Sequence, residues 1–144
     1  MRKLVFLFAL TGMVALFQPC SAKKPSGFVT ATDGGTWTSI SIREDLSFEK
    51  AFNEVLDVCA KRFEMDLISK EGGYGRTNWI YTWGMKNGKA IKGYKTRVVF
   101  KFSPDRTKVD IKTEAVYGDI TGFDTGLLQT MKQDIMGVIG RTTM

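Results

Sequence analysis

The residues in this chain best equipped for surface chemistry are aromatic and lie close together: Tyr74, Arg76, Trp79, Tyr81 and Trp83. Thr77, Trp79, Tyr81 and Trp83 occupy every second position, and on a strand such alternation places them on one face. Flat rings aligned in this way stack on sugar rings, peptide groups or bases, with Tyr74 and Arg76 alongside. The same rings are also the largest apolar side chains that a core can use. Core filling beneath helices is therefore the first expectation, and a ligand-binding surface the second.

A second cluster is cationic. Lys86, Lys89, Lys92 and Lys95 sit on or beside a segment from Met85 to Gly93 that reads as a loop because it carries Asn87-Gly88. Four ammonium groups there suit anionic lipid headgroups, acidic glycans or nucleic acid. Lysine is also the ordinary residue of a solvated loop, and no arginines accompany these four, so solvation is the first expectation.

Catalytic chemistry finds little to work with. The chain has no histidine, which removes the commonest general base, the His-dependent triads and most zinc and copper sites. Asp33, Asp119 and Asp124 are scattered rather than paired at a defined spacing, and Asp124 is placed to start a helix. Gly72-Gly73-Tyr74-Gly75 is followed by an aromatic strand, whereas a phosphate-cradling loop needs a helix there. Cys59 falls on the apolar face of a helix and reads as an inert core residue. No catalytic residue, metal ligand or cofactor is expected, and a hydrolase without a recognisable motif ranks third among the functions considered.

Residues 1–22 set the expected location. Arg2 and Lys3 precede an apolar run from Leu4 to Phe17, and Cys20-Ser21-Ala22 ends in small residues, the pattern of a secretory signal. The run is shorter than the roughly 20 residues that span a bilayer, so no transmembrane span is expected after cleavage. Cleavage after Ala22 fits best. Lipidation at Cys20 is the alternative, though Phe17-Gln18-Pro19 is a poor lead to a lipidated cysteine. Either way the protein is expected to be exported, in the periplasm or cell envelope. The whole chain carries 21 basic and 15 acidic residues, too mild a bias for a committed nucleic-acid binder, while peripheral membrane contact stays open.

The elements that must position these residues follow from periodicity. Residues 23–35 form a polar lead and a first strand from Phe28 to Thr32, which Asp33-Gly34-Gly35 turns into a hairpin with Thr36 to Ile42. Residues 36–144 make the main domain. Ser47 caps a helix whose apolar stripe is Phe48, Ala51, Phe52, Val55, Leu56, Cys59 and Phe63. Two strands with a bend cover Asp66 to Trp83. Tyr94 to Phe102 pairs with Thr107 to Tyr117 across a turn at Ser103-Pro104-Asp105-Arg106, which sets Phe100 opposite Val109 and Lys95 opposite Glu114. Gly122 to Gly126 leads into a last helix with the stripe Leu127, Leu128, Met131, Ile135, Val138 and Ile139, ended by Gly140. The expected fold is α+β: one two-layer domain, a twisted antiparallel sheet of four or five strands, and both helices on one of its faces.

An export signal followed by this β-α-β-β-β-α order, with Gly75-Arg76-Thr77-Asn78-Trp79 as a Gly-rich turn before an aromatic strand, resembles the small TATA-binding-protein-like or helix-grip domains of bacterial envelope proteins. Among these is the C-type lipoprotein of the outer-membrane β-barrel assembly machinery. The resemblance spans about Thr36 to Gly140 and is chiefly one of element order. It implies a non-enzymatic binding or scaffolding module for an envelope protein or a surface polymer. The alternative is a small apolar or glycan ligand held between sheet and helices.

Overall fold

The computed structural model describes residues 24–31, 36–81, 85–86, 89–90 and 93–141, with backbone alone at 85–86 and 89–90. The leader with Cys20, the Asp33-Gly34-Gly35 turn, Trp83 and Lys92 lie outside the described residues. Strands β1 (Phe28–Thr30) and β2 (Thr38–Ser41) precede helix α1 (Phe48–Ala60). Next come β3 (Met65–Ser69), β4 (Tyr74–Thr77), β5 (Ile80–Tyr81), β6 (Met85–Lys86) and β7 (Lys89–Ala90). The long pair β8 (Tyr94–Phe102) and β9 (Lys108–Tyr117), then β10 (Ile120–Asp124) and helix α2 (Thr125–Ile139), complete the described chain.

The chain is α+β, but the expected sheet of four or five strands is too small: among the described residues eight strands form the antiparallel main sheet. Its order is β1-β10-β9-β8-β4-β3, with β2 sharing an edge of β9 beside β10 and β5 sharing an edge of β8 beside β4. Three local causes account for the difference. Phe28–Thr30 does not form a hairpin with β2 but pairs with β10, Val29 facing Phe123. The lead into the last helix is itself a strand, joined to β9 through a tight turn in which Gly118 takes φ 60°. The segment from Thr77 to Trp83 breaks at Asn78-Trp79 into separate strands. The Met85–Gly93 loop carries a further two-stranded hairpin, β6-β7.

The central hairpin is shifted by two residues from its expected register. Phe102 faces Val109, Phe100 faces Ile111 and Arg97 faces Glu114. The turn at Ser103–Arg106 does form, with the Arg106 N–H donating to the Ser103 carbonyl at 2.9 Å. Arg106 then adopts φ 60° and Thr107 joins the loop, so the strands close at Ser103 and Lys108. The Asp105 carboxylate holds this wider loop, accepting from the Ser103 hydroxyl, the Thr107 N–H and the Thr107 hydroxyl. Because the shift is even, every side chain keeps its expected face.

Both helices cover that inner face. Ser47 caps α1 by accepting from the Lys50 N–H, and Asp124 caps α2 by accepting from the Leu127 N–H at 2.8 Å. Their apolar stripes meet the sheet in one core where Phe52, Phe100, Phe102, Ile111, Met131 and Ile135 are all at most 2% exposed. The Phe52 ring lies 5.7 Å from Phe100 and 5.8 Å from Phe102, and burying it contributes on the order of 2 to 3 kcal/mol. Gly75 is required beneath this layer, since a Cβ there would stand 2.3 Å from the Phe100 ring. Gly140 ends α2, and its bridge to Ile42 ties the helix end to β2. A smaller aromatic group of Phe28, Tyr94, Ala115 and Tyr117 packs separately.

Candidate binding face

The sheet face turned away from the helices is a grid fixed by the registers. One row across the strands reads Ser39-Asp110-Lys101-Tyr74-Ser69. The next reads Lys112-Val99-Arg76-Leu67, with Trp37 at its β2 end, where the Lys112 ammonium lies 5.0 Å from the ring centroid. A third pairs Glu114 with Arg97, and a fourth reads Val116-Lys95-Tyr81.

A bulge decides where the aromatics go. Arg76 faces Val99 and Ile80 faces Thr96, so four steps on the β4–β5 side match three on β8. One extra residue reverses the faces that follow it. Thr77 therefore points inward, 1% exposed, its hydroxyl accepting from the Val98 N–H at 3.0 Å. Ile80 takes the next inward position against the core, while Tyr81 lies outside and is 61% exposed. The expected single face of Thr77, Trp79 and Tyr81 does not exist, and Tyr81 is not core filler.

Trp79, at the bulge, is half-buried beneath cations of the outer face: the Arg97 guanidinium lies 4.3 Å and the Lys95 ammonium 4.7 Å from its ring centroid. Such contacts contribute about 0.5 to 2 kcal/mol each according to how far the cation is desolvated. Arg97 and Lys112 both hold Glu114, at 2.6 and 2.7 Å, with all three side chains at most 20% exposed. Burial alone would raise the Glu114 pKa, but hydrogen bonds from Lys112 and Arg97 outweigh it and leave the carboxyl below its ordinary value. Arg76 is bound by Asp66 at 2.5 Å, and the Ser39 hydroxyl donates to Asp110. Trp37, Lys112, Glu114, Arg97, Trp79 and Lys95 thus form one continuous chain of ion-pair and cation–π contacts across the sheet.

Beside Trp79 a groove of about 430 Å³ separates the C-terminal turn of α1 from the bulge, lined by Arg62, Phe63, Glu64, Asn78, Trp79 and Ile80. The Asn78 N–H donates to the Glu64 carbonyl at 2.8 Å, which fixes one wall.

Of the residues singled out in the sequence, Tyr74, Arg76, Trp79, Tyr81 and Lys95 meet on this face. Lys86 and Lys89 contribute described backbone only, in β6 and β7, and Trp83, Lys92 and Cys20 lie outside the described residues. Trp37, Arg97, Lys112 and Glu114 complete the face without having been expected as site residues. Strand alternation already sets Trp37 opposite in face to Ile40, but only the pairing of β2 with β9 brings it to Lys112. Cys59 is fully buried, and desolvation pushes its thiol up to about 12. No protein-family model matches the chain, and no curated protein matches it.

Proposed function

We propose that this protein is an exported, non-enzymatic binding module of the cell envelope, and that it takes a protein or a surface polymer on the outer face of its sheet. The observation that carries this is the solvent-facing position of Tyr81, 61% exposed, and Trp37, 42% exposed, among cations held in place by Glu114 and Trp79. Rings and cations fixed in advance lose little conformational entropy on binding, which is what a recognition surface needs. The leader read in residues 1–22 supports the envelope location. The space between sheet and helices, where a small ligand would otherwise be held, is filled among the described residues by Phe52, Phe100, Phe102, Ile111, Met131 and Ile135.

The test is affinity isolation from envelope extracts with the wild type and with a Tyr81→Ala, Lys95→Glu variant, both checked for a native circular-dichroism spectrum. A stoichiometric partner retained by the wild type and lost by the variant is the expected result. A partner held equally by both would remove the outer face from the function.

A further inference from the structure

Three rows of the outer face contain or adjoin a carboxylate: Asp110 beside Lys101, Asp66 on Arg76, and Glu114 between Arg97 and Lys112. The row Val116-Lys95-Tyr81 contains none. There the Lys95 ammonium lies over Trp79 rather than on an acid, directly across the strands from the open ring of Tyr81. The groove lined by Lys61, Arg62, Glu64, Asn78, Trp79 and Ile80 opens alongside, its one lining carboxylate accompanied by two cations.

We propose that this corner, formed by Lys95, Tyr81, Trp79 and the adjoining groove, binds the acidic sugar units of a carboxylated polysaccharide. The proposal rests on the outer face being the binding surface. A sugar ring presents an apolar C–H face that matches Tyr81, its carboxylate meets the Lys95 ammonium, and its hydroxyl edge finds the Asn78 amide in the groove. Charge spacing favours this ligand over other anions. Nucleic acid carries a charge about every 1.7 Å of duplex, and the three neighbouring rows, whose cations already face or hold Asp110, Asp66 and Glu114, leave too few free cations to match so dense a track. A polysaccharide with one carboxylate per sugar needs a single acid-free position, and the Lys95 row supplies it. An acidic peptide brings its charge on flexible stems, so the ring contact and the charge contact are not held together in one rigid unit as they are in an acidic sugar. A lipid surface would call for exposed apolar side chains gathered together, whereas Trp37 and Tyr81 stand on opposite sides of the β8-β9 pair among cations, Val29 and Ile120 lie at one end of the sheet, Leu67 and Ile68 at the other, and Met136 on α2.

Calorimetric titration of the purified protein with oligogalacturonate, a neutral oligosaccharide of equal length, poly-glutamate and phosphatidylglycerol vesicles tests this directly. Oligogalacturonate is expected to bind, with an affinity that weakens from low to physiological salt, and each of the other probes to bind at least about tenfold more weakly. Tyr81→Ala is expected to lose about tenfold through the missing stacking contact, and Lys95→Gln about fivefold through the missing charge. Tyr81 lies at the surface, so Tyr81→Ala should leave the melting temperature unchanged, whereas Lys95→Gln gives up the contact with Trp79 and should lower it by a few degrees without unfolding the protein. Poly-glutamate or vesicles binding as tightly as oligogalacturonate, an affinity indifferent to Tyr81→Ala, or no binding of oligogalacturonate would each overturn the proposal. The outer face as the binding surface is tested separately, and falls if a partner captured from envelope extracts is held equally by the wild type and the Tyr81→Ala, Lys95→Glu variant.

Discussion

Glu114 accepts from two cations at once, and its lowered pKa makes that arrangement measurable. A carboxyl whose folded pKa lies below its ordinary 4.5 contributes stability that is present above that value and lost as the pH falls through the folded value. Glu114→Gln should therefore cost about 2 kcal/mol at neutral pH, and the gap between variant and wild type should narrow in urea titrations as the pH is taken below 4.5 and through the lowered folded value. Tyr94 works in the opposite direction. Burial first, and then its hydrogen bond to Asp124 at 2.5 Å, raise its pKa above the ordinary 10. Its stabilisation is thus complete below pH 10 and lost as the pH rises beyond it. Tyr94→Phe should cost about 1 kcal/mol at neutral pH, and should flatten the loss of stability expected of the wild type as the pH rises above 10. Cys59, fully buried and with its thiol raised to about 12, should resist a thiol reagent in the native protein and react only on unfolding.

At the scale of elements, two glycines separate what packing forbids from what it permits. Gly75→Ala drives a methyl group into the Phe100 ring and should cost about 1 to 3 kcal/mol. Gly137→Ala meets nothing within 4 Å on α2 and should stabilise by about 0.5 to 1 kcal/mol; paired urea titrations would show the opposite signs. These contrasts match what the sequence made visible. Both helices, their caps at Ser47 and Asp124, and the facing of every residue in β8 and β9 follow from local periodicity and capping chemistry, which neighbours in the chain determine. Register does not follow in the same way, because the choice between closing at Phe102 and closing at Ser103 depended on Arg106 accepting a left-handed backbone. Its guanidinium donates to the Glu71 carbonyl at 2.6 Å and lies 4.3 Å from the Phe48 ring centroid, contacts that offset the strain but are distant in sequence. The bulge at Asn78-Trp79 escaped for a related reason: the alternation of Thr and aromatic residues ran unbroken through it. Half of the binding face was therefore visible as an aromatic strand, while the cations from β8 and β9 that complete it required knowledge of which strands are neighbours. Gly118-Asp119 was the one missed local signal, a tight-turn pair that could have revealed β10.

For the molecule as a whole, the export reading predicts a mature chain beginning at Lys23 and lacking lipid when protein from its native host is weighed by mass spectrometry. A chain that retains residues 1–22, or a diacylglycerol adduct on Cys20, would refute it. The topology bears on the same journey. β1 and β2 are made early, yet their partners lie far downstream, Phe28 against Asp124 and Thr38 against Ile111. Arg43 and Arg141 repeat the theme, their N–H groups donating to the Ile139 and Ser41 carbonyls. Such distant closures make folding slow, because chain entropy is lost before the contacts that reward it can form. A growing chain cannot seat its first strands until its last ones have been synthesised. On the export proposal this delay would be protective: the segment that entered the channel first would have nothing to fold against while the rest was still being made. The same arrangement makes the far end of the chain a latch for the near one, so a proteolytic cut that frees residues after Tyr117 would release β1 along with them.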